Sequence, residues 1–211
     1  FIQNNKNYST KFRDIWCLCT ATNDNCNFVD ILEHFADLDI NNLQIRMIRD
    51  EKKYDVQLLK RQYNLLTDFL IKTFLNGNEK YISMILNDND QFGKVLKRIF
   101  LGETISRRCN AGINKITVCP DGEIYPCDSL VGYQEYRMGD LGEKSLDRAI
   151  LKDLDVFSRI KCKECCINVL CGGDCYYNAY KKNGNINNVT DDFCILQKDI
   201  IENSIYIKYF L

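Results

Sequence analysis

Twelve cysteines punctuate the 211 residues of this chain. The densest run is Cys162-Lys-Glu-Cys165-Cys166-Ile-Asn-Val-Leu-Cys171-Gly-Gly-Asp-Cys175, with Cys109 and Gly122-Glu-Ile-Tyr-Pro-Cys127 upstream and a separate Cys194 downstream. Cysteine thiolates are soft ligands, and closely spaced pairs in glycine-containing loops suit an iron–sulfur cluster or a zinc ion. Cys162, Cys165, Cys171 and Cys175 would suffice for one tetrahedral zinc, but that assignment leaves Cys109, Cys127 and Cys194 without a role. Such short spacings suit metal better than disulfides, which stabilise most across long loops. They point to a reducing compartment, and a cytoplasmic location is expected.

The full spacing runs Cys109, twelve residues, Gly122, four residues, Cys127, a gap, Cys162-x2-Cys165-x5-Cys171-x3-Cys175, a second gap and Cys194. It resembles the seven-cysteine signature of the SPASM domain, the C-terminal extension of many radical S-adenosylmethionine enzymes that modify peptides and proteins. The resemblance implies two auxiliary 4Fe-4S clusters with interleaved ligands. Cys162, Cys165, Cys171 and Cys194 would hold the distal cluster, and Cys109, Cys127 and Cys175 the proximal one. The proximal cluster then has either an open iron corner, the preferred reading, or Cys119 as its fourth ligand. Asp128 follows Cys127 in Tyr-Pro-Cys-Asp, a form shared with anaerobic sulfatase-maturating relatives, where the matching aspartate is proposed to take the substrate proton. The same residue type at a strand end also caps turns.

The resemblance further implies a third 4Fe-4S cluster and S-adenosylmethionine in the intact enzyme, a peptide or protein substrate, and an electron donor such as flavodoxin or ferredoxin. No C-x3-C-x2-C run, the carrier of the radical-generating cluster in this superfamily, occurs in the 211 residues. This chain alone is therefore expected to be inactive, and its start at Phe1 rather than Met suggests a fragment or processed product. Two rivals stand beside this reading: a non-catalytic, ferredoxin-like electron carrier or peptide-docking module, and a zinc-stabilised interaction domain.

Stepping outward from the cysteines, Phe12–Thr20 reads as a buried strand, Asn27–Leu38 as a helix capped by Asn27, Leu43–Ile48 as a strand and 54–75 as a long amphipathic helix. This strand–helix alternation predicts a parallel sheet. The fold expected is α/β: the C-terminal portion of a partial (β/α) radical S-adenosylmethionine barrel over 1–100, then a small α+β SPASM domain over 101–211. Thr20, Thr22 and Asn23 stand at a strand end, where barrel enzymes contact ligands, and are candidates for S-adenosylmethionine contact. Helical pieces are expected at Tyr81–Leu86 and Gln91–Phe100.

Around Pro120-Asp121-Gly122 a β-hairpin is expected, delivering Cys127. Ser145 would cap a helix to Leu154, Gly172-Gly173 would let backbone approach a cluster, and helices are expected at Tyr176–Lys182 and Phe193–Leu211. Tyr125, Tyr133, Tyr136, Tyr176 and Tyr177 lie near the cysteine segments and would shield clusters from water.

Cys17 and Cys19 share one face of the first strand and, with Cys26, are expected to be small buried hydrophobes, with Cys166 a packed thiol. His34, the only histidine, lacks the partners of a catalytic or metal site. Twenty-eight basic against 29 acidic side chains leave a net charge of −1, which favours neither nucleic acid nor a membrane as partner.

Overall fold

The computed structural model describes residues 15–47, 55–88 and 90–211. They divide into two compact units, one made of the described residues up to 104 together with 194–211, the other of 105–193.

In the first unit, β1 (Trp16–Ala21) pairs in parallel with β2 (Asn42–Met47), Trp16 opposite Asn42 and Ala21 opposite Met47. The crossover is α1 (Phe28–Asp37), started by Asn27, whose side chain accepts from the Asp30 N–H. Such a cap is worth about 1 kcal/mol because it satisfies an otherwise orphan donor. The long helix α2 (Val56–Leu75) starts the same way, with Asp55 accepting from the Leu58 N–H at 2.9 Å, and buries Leu59, Tyr63, Leu66 and Leu70 along one stripe. The strand–helix alternation expected from the sequence is thus present. Residues 12–14, 48 and 54, also expected in these elements, lie outside the described ones.

One expectation fails in β1. It is not a buried strand, since Trp16 and Leu18 are 46% and 57% exposed, and Cys17 and Cys19 are only half-buried. Among the described residues β1 has a sheet neighbour on one side alone, β2.

Two short helices, α3 (Lys80–Ile85) and α4 (Gln91–Leu101), follow. Asp90 ties them to the sheet: its carboxylate accepts from the Gly93 N–H, capping α4, and from the Ile45 N–H of β2, each at 2.8 Å. Burial pushes its carboxyl up to about 6 even though these N–H groups favour the charged form. The last helix, α8 (Asp191–Phe210), belongs to this unit from Cys194 onward. Lys60 pairs with Asp199 at 3.3 Å, and Lys208 donates to the Ile99 carbonyl at 2.7 Å.

The second unit carries little regular structure. β3 (Thr117–Val118) and β4 (Glu123–Tyr125) form the expected hairpin, closed by a turn in which the Gly122 N–H donates to the Cys119 carbonyl at 2.9 Å. A third strand that the sequence did not suggest, β5 (Gly139–Asp140), pairs with β4. The helix expected from Ser145 to Leu154 is absent apart from a 3₁₀ turn at Ala149–Leu151. The Asp147 N–H donates to the Met138 carbonyl, extending the β5 edge, while the Asp147 carboxylate accepts from the Ala149 N–H. This local turn competes with helix for the same backbone groups. Ile124, Leu130, Tyr136, Met138, Leu151, Leu154 and Tyr176 form the apolar centre of the unit. Three short helices, α5 (Ile160–Lys163), α6 (Asn168–Cys171) and α7 (Tyr176–Asn183), and the first residues of α8 complete the unit. Gly184 ends α7 at φ 67°, in the left-handed conformation that favours glycine.

Candidate iron–sulfur site

The hairpin ends one residue before Pro126-Cys127, so β4 aims the chain at the first cysteine of the site. The half-buried Cys127 opens a 3₁₀ turn, Asp128–Leu130. Burial pushes its thiol up, while the neighbouring backbone N–H groups of Leu130 and Ser129 favour the thiolate. Cys175 and Asp128 stand close enough that their negative charges would push it higher still. Cys175 immediately precedes α7; burial raises the hydroxyl of Tyr176, the first residue of that helix, and the nearby Cys109 raises it further. Cys127 and Cys175 are thus brought together, with Cys109 beside the start of the same helix.

A second group forms around Cys171. The buried Cys162 lies in α5, the half-buried Cys165 in the turn after it, and the buried Cys171 ends α6. Burial raises the Cys171 thiol, the nearby Arg108 and the Gly173 N–H lower it, and the charges of Cys162 and Cys165 raise it. These are the features of a thiolate ligand set: several sulfurs within electrostatic reach, backbone donors beside them and a cation alongside. The residues present therefore fit thiolate ligation of iron–sulfur clusters. Among the described residues, no three His, Cys, Asp or Glu side chains converge as on a single metal ion.

Other expected site residues are placed as follows. Cys194 lies in the first turn of α8. Cys119 sits at the hairpin turn, where burial and then the charges of Asp121 and Glu123 push its thiol up. Cys166 is exposed, not packed, and Cys26 is buried. Asp128 is exposed, in the 3₁₀ turn that follows Cys127. In the first unit, Thr20 and Asn23 are exposed, and the Asn23 side chain accepts from the Asp55 N–H at 3.2 Å, tying the turn after β1 to the start of α2. Thr22 is half-buried and bonds through its backbone to Asn25. His34 is exposed and packs edge-on against Phe35.

The paired glycines pack closely against the protein itself. Gly172 and Gly173 both have positive φ, 74° and 83°. A Cβ on Gly172 would stand 2.5 Å from Ile105 Cδ1 and 2.7 Å from the Arg108 backbone nitrogen, and one on Gly173 2.9 Å from Arg159 Nη1. The close approach is to the protein's own 105–108 segment and to a buried arginine.

Sequence reasoning missed the residues that brace this loop. Asp174 is buried; its carboxylate accepts from the Cys175 N–H at 2.7 Å and from the Thr190 N–H and hydroxyl at 3.1 and 2.9 Å. Arg159 is buried beneath the loop and accepts the Cys162 N–H at its carbonyl, at 2.9 Å. An acid between a glycine and a cysteine was the one signal available for Asp174. Tyr180 was also missed: it packs edge-on against Tyr133 and Tyr136 at 4.9 and 5.2 Å and donates to Glu135. Tyr125, fully buried, donates to Glu123 at 2.8 Å.

Comparison with known proteins found a family-model match and similar solved structures. The model of the SPASM family, described as an iron-sulfur cluster-binding domain, matches residues 109–176. No curated protein matches the chain. Among solved structures, native anSMEcpe with bound AdoMet and Kp18Cys peptide superposes with a TM-score of 0.62 at 22% identity, over 97% of this chain and 59% of that one. Native anSMEcpe with bound AdoMet gives 0.61 at 21% identity over the same shares. The chain thus spans 59% of the length of the enzyme structures it matches. Residues 109–176 match the SPASM family of iron-sulfur cluster-binding domains, and the chain shares its fold with part of the anSMEcpe structures.

Proposed function

We propose that this chain is the auxiliary-cluster-bearing part of a radical S-adenosylmethionine enzyme that oxidatively modifies a peptide or protein. The observation that carries the reading is the division of the cysteines into Cys162, Cys165 and Cys171 on one side and Cys127 and Cys175 on the other. In this reading the first set holds the distal 4Fe-4S cluster, with Cys194 as fourth ligand from the sequence spacing. Cys127, Cys175 and Cys109 hold the proximal one. Cys119 has carboxylates for neighbours, which favours an open iron corner over ligation by Cys119. Residues 1–100 would belong to a partial barrel, with Thr20, Thr22 and Asn23 near S-adenosylmethionine and a third cluster in the intact enzyme.

The clusters would supply one-electron acceptance from a substrate radical. The chain's own residues do the rest. Backbone N–H groups at Gly173, Ser129 and Leu130 stabilise thiolates, Asp174 fixes the backbone at Cys175, and the tyrosines around Tyr180 limit water. Asp128, beside Cys127, would take a substrate proton. A peptide substrate agrees with the peptide bound in the anSMEcpe structure. Flavodoxin or ferredoxin would serve as donor, and a cytoplasmic location suits free thiolates.

The test is an anaerobic assay of the full chain, reconstituted with iron and sulfide, reduced with dithionite and given S-adenosylmethionine. Lacking the C-x3-C-x2-C run, it is expected to bind clusters yet release no 5′-deoxyadenosine above the protein-free control. Multiple-turnover release by this chain alone would overturn the assignment of its clusters as auxiliary.

A further inference from the structure

Arg159 heads the described residues in size among fully buried side chains. Its hydrogen bonds all go to neutral partners. Nη1 donates to the Asp174 carbonyl at 3.1 Å and Nη2 to the Ile186 carbonyl at 2.6 Å. The guanidinium lies over the Tyr176 ring, 4.9 Å from its centroid, and Nε has no partner. Among the described residues no ion pair includes it. The nearest carboxylate along the loop, that of Asp174, accepts instead from Thr190 and Cys175.

A guanidinium is a permanent cation, and burying one without an anion costs several kcal/mol. Carbonyl dipoles and an aromatic face offset part of that cost. The remainder calls for negative charge, and the position of Arg159 indicates its source. Its backbone carbonyl holds the N–H groups of Cys162 and Lys163 at 2.9 and 3.0 Å. Its side chain fills the space left by the absent Cβ of Gly173 and grips the carbonyl immediately before Cys175. A permanent charge is thus anchored to both cysteine-bearing segments, away from solvent and in no ion pair with a carboxylate of the described residues.

We propose that Arg159 is the built-in countercharge of the cluster held through Cys175 and raises that cluster's reduction potential. This rests on the cluster reading given above. Reduction adds one electron and one negative charge, with no bond formed or broken, and a desolvated cation nearby stabilises the reduced state more than the oxidised one. The arginine is a positioning and tuning residue, not a ligand.

The experiment is a dithionite titration of the reconstituted full chain, followed by electron paramagnetic resonance, with the relevant signal assigned by its loss in C175A. At a fixed potential, Arg159→Gln is expected to lower the ratio of reduced to oxidised cluster about tenfold, equivalent to about 59 mV for one electron. Arg159→Lys, which keeps the charge but not the hydrogen-bond pattern, should stay within about twofold of the parent. A parent-like ratio in Arg159→Gln overturns the proposal, as does an equal fall in Arg159→Lys. If Arg159→Gln takes up no iron, Arg159→Lys decides alone: a ratio within twofold supports the countercharge, and a tenfold fall refutes it. Should the parent chain itself hold no iron–sulfur cluster, the site reading fails and the proposal with it, an outcome distinct from a potential that does not move.

Discussion

Replacing Cys175 by alanine is expected to halve the iron held by the reconstituted chain, from about eight atoms to about four, and Cys171→Ala should do the same. The double variant should hold almost none. The expectation follows from the two groups of sulfurs: Cys127 has Cys175 as its thiolate neighbour, whereas Cys171 has Cys162 and Cys165. A cluster that loses one of its protein thiolates here loses a ligand that is buried or half-buried, where solvent is poorly placed to substitute. Cys119→Ala and Cys166→Ala should leave the iron content unchanged, since Cys119 lies beside Asp121 and Glu123 and Cys166 is exposed. Iron and acid-labile sulfide assays read all five proteins. A drop on removing Cys119 would make it the fourth ligand of the proximal cluster.

Gly172→Ala should be the most damaging single-methyl change in the second unit. A Cβ there would stand 2.7 Å from a backbone nitrogen and 2.9 Å from a backbone carbon, those of Arg108 and Arg107. Backbone cannot swing aside as a side-chain tip can, and the residue also sits at φ 74°, where a Cβ costs about 1–2 kcal/mol by itself. Together these predict a loss of about 3 kcal/mol or more. The control is Gly184→Ala, equally left-handed at φ 67° but with nothing within 4 Å of the added methyl, which should cost only about 1 kcal/mol. Thermal unfolding of the two variants beside the parent measures the difference. Equal losses would mean that the loop does not pack on the 105–108 segment as described.

How much of this was legible in the sequence depended on whether the signal was local. Asn27 announced a helix start because capping is settled by one side chain and its nearest backbone. The cysteine spacing announced the site because ligands must recur at intervals that the loop geometry fixes. Strand β5 was silent, since Gly139–Asp140 has no alternation to read and exists only by pairing with Glu123 and Ile124. The helix drawn from Ser145 was lost to Asp147, whose partner Met138 stands nine residues away. The exposure of Trp16 and Leu18 was invisible for the same reason, as apolar content marks a strand but not what covers it. Arg159 and Asp174 were missed because charged residues are read by default as surface groups. Only the fold shows that one is buried over Tyr176 and the other under Thr190.

Two sets of thiolates, each holding one cluster, are the core of the proposed function. The most direct measurement is the metal and sulfide content of the anaerobically reconstituted full chain, by elemental mass spectrometry and sulfide assay on the same sample. The account predicts about eight irons and about eight sulfides per chain with no zinc. A colourless protein with one tightly held zinc and no sulfide would contradict it.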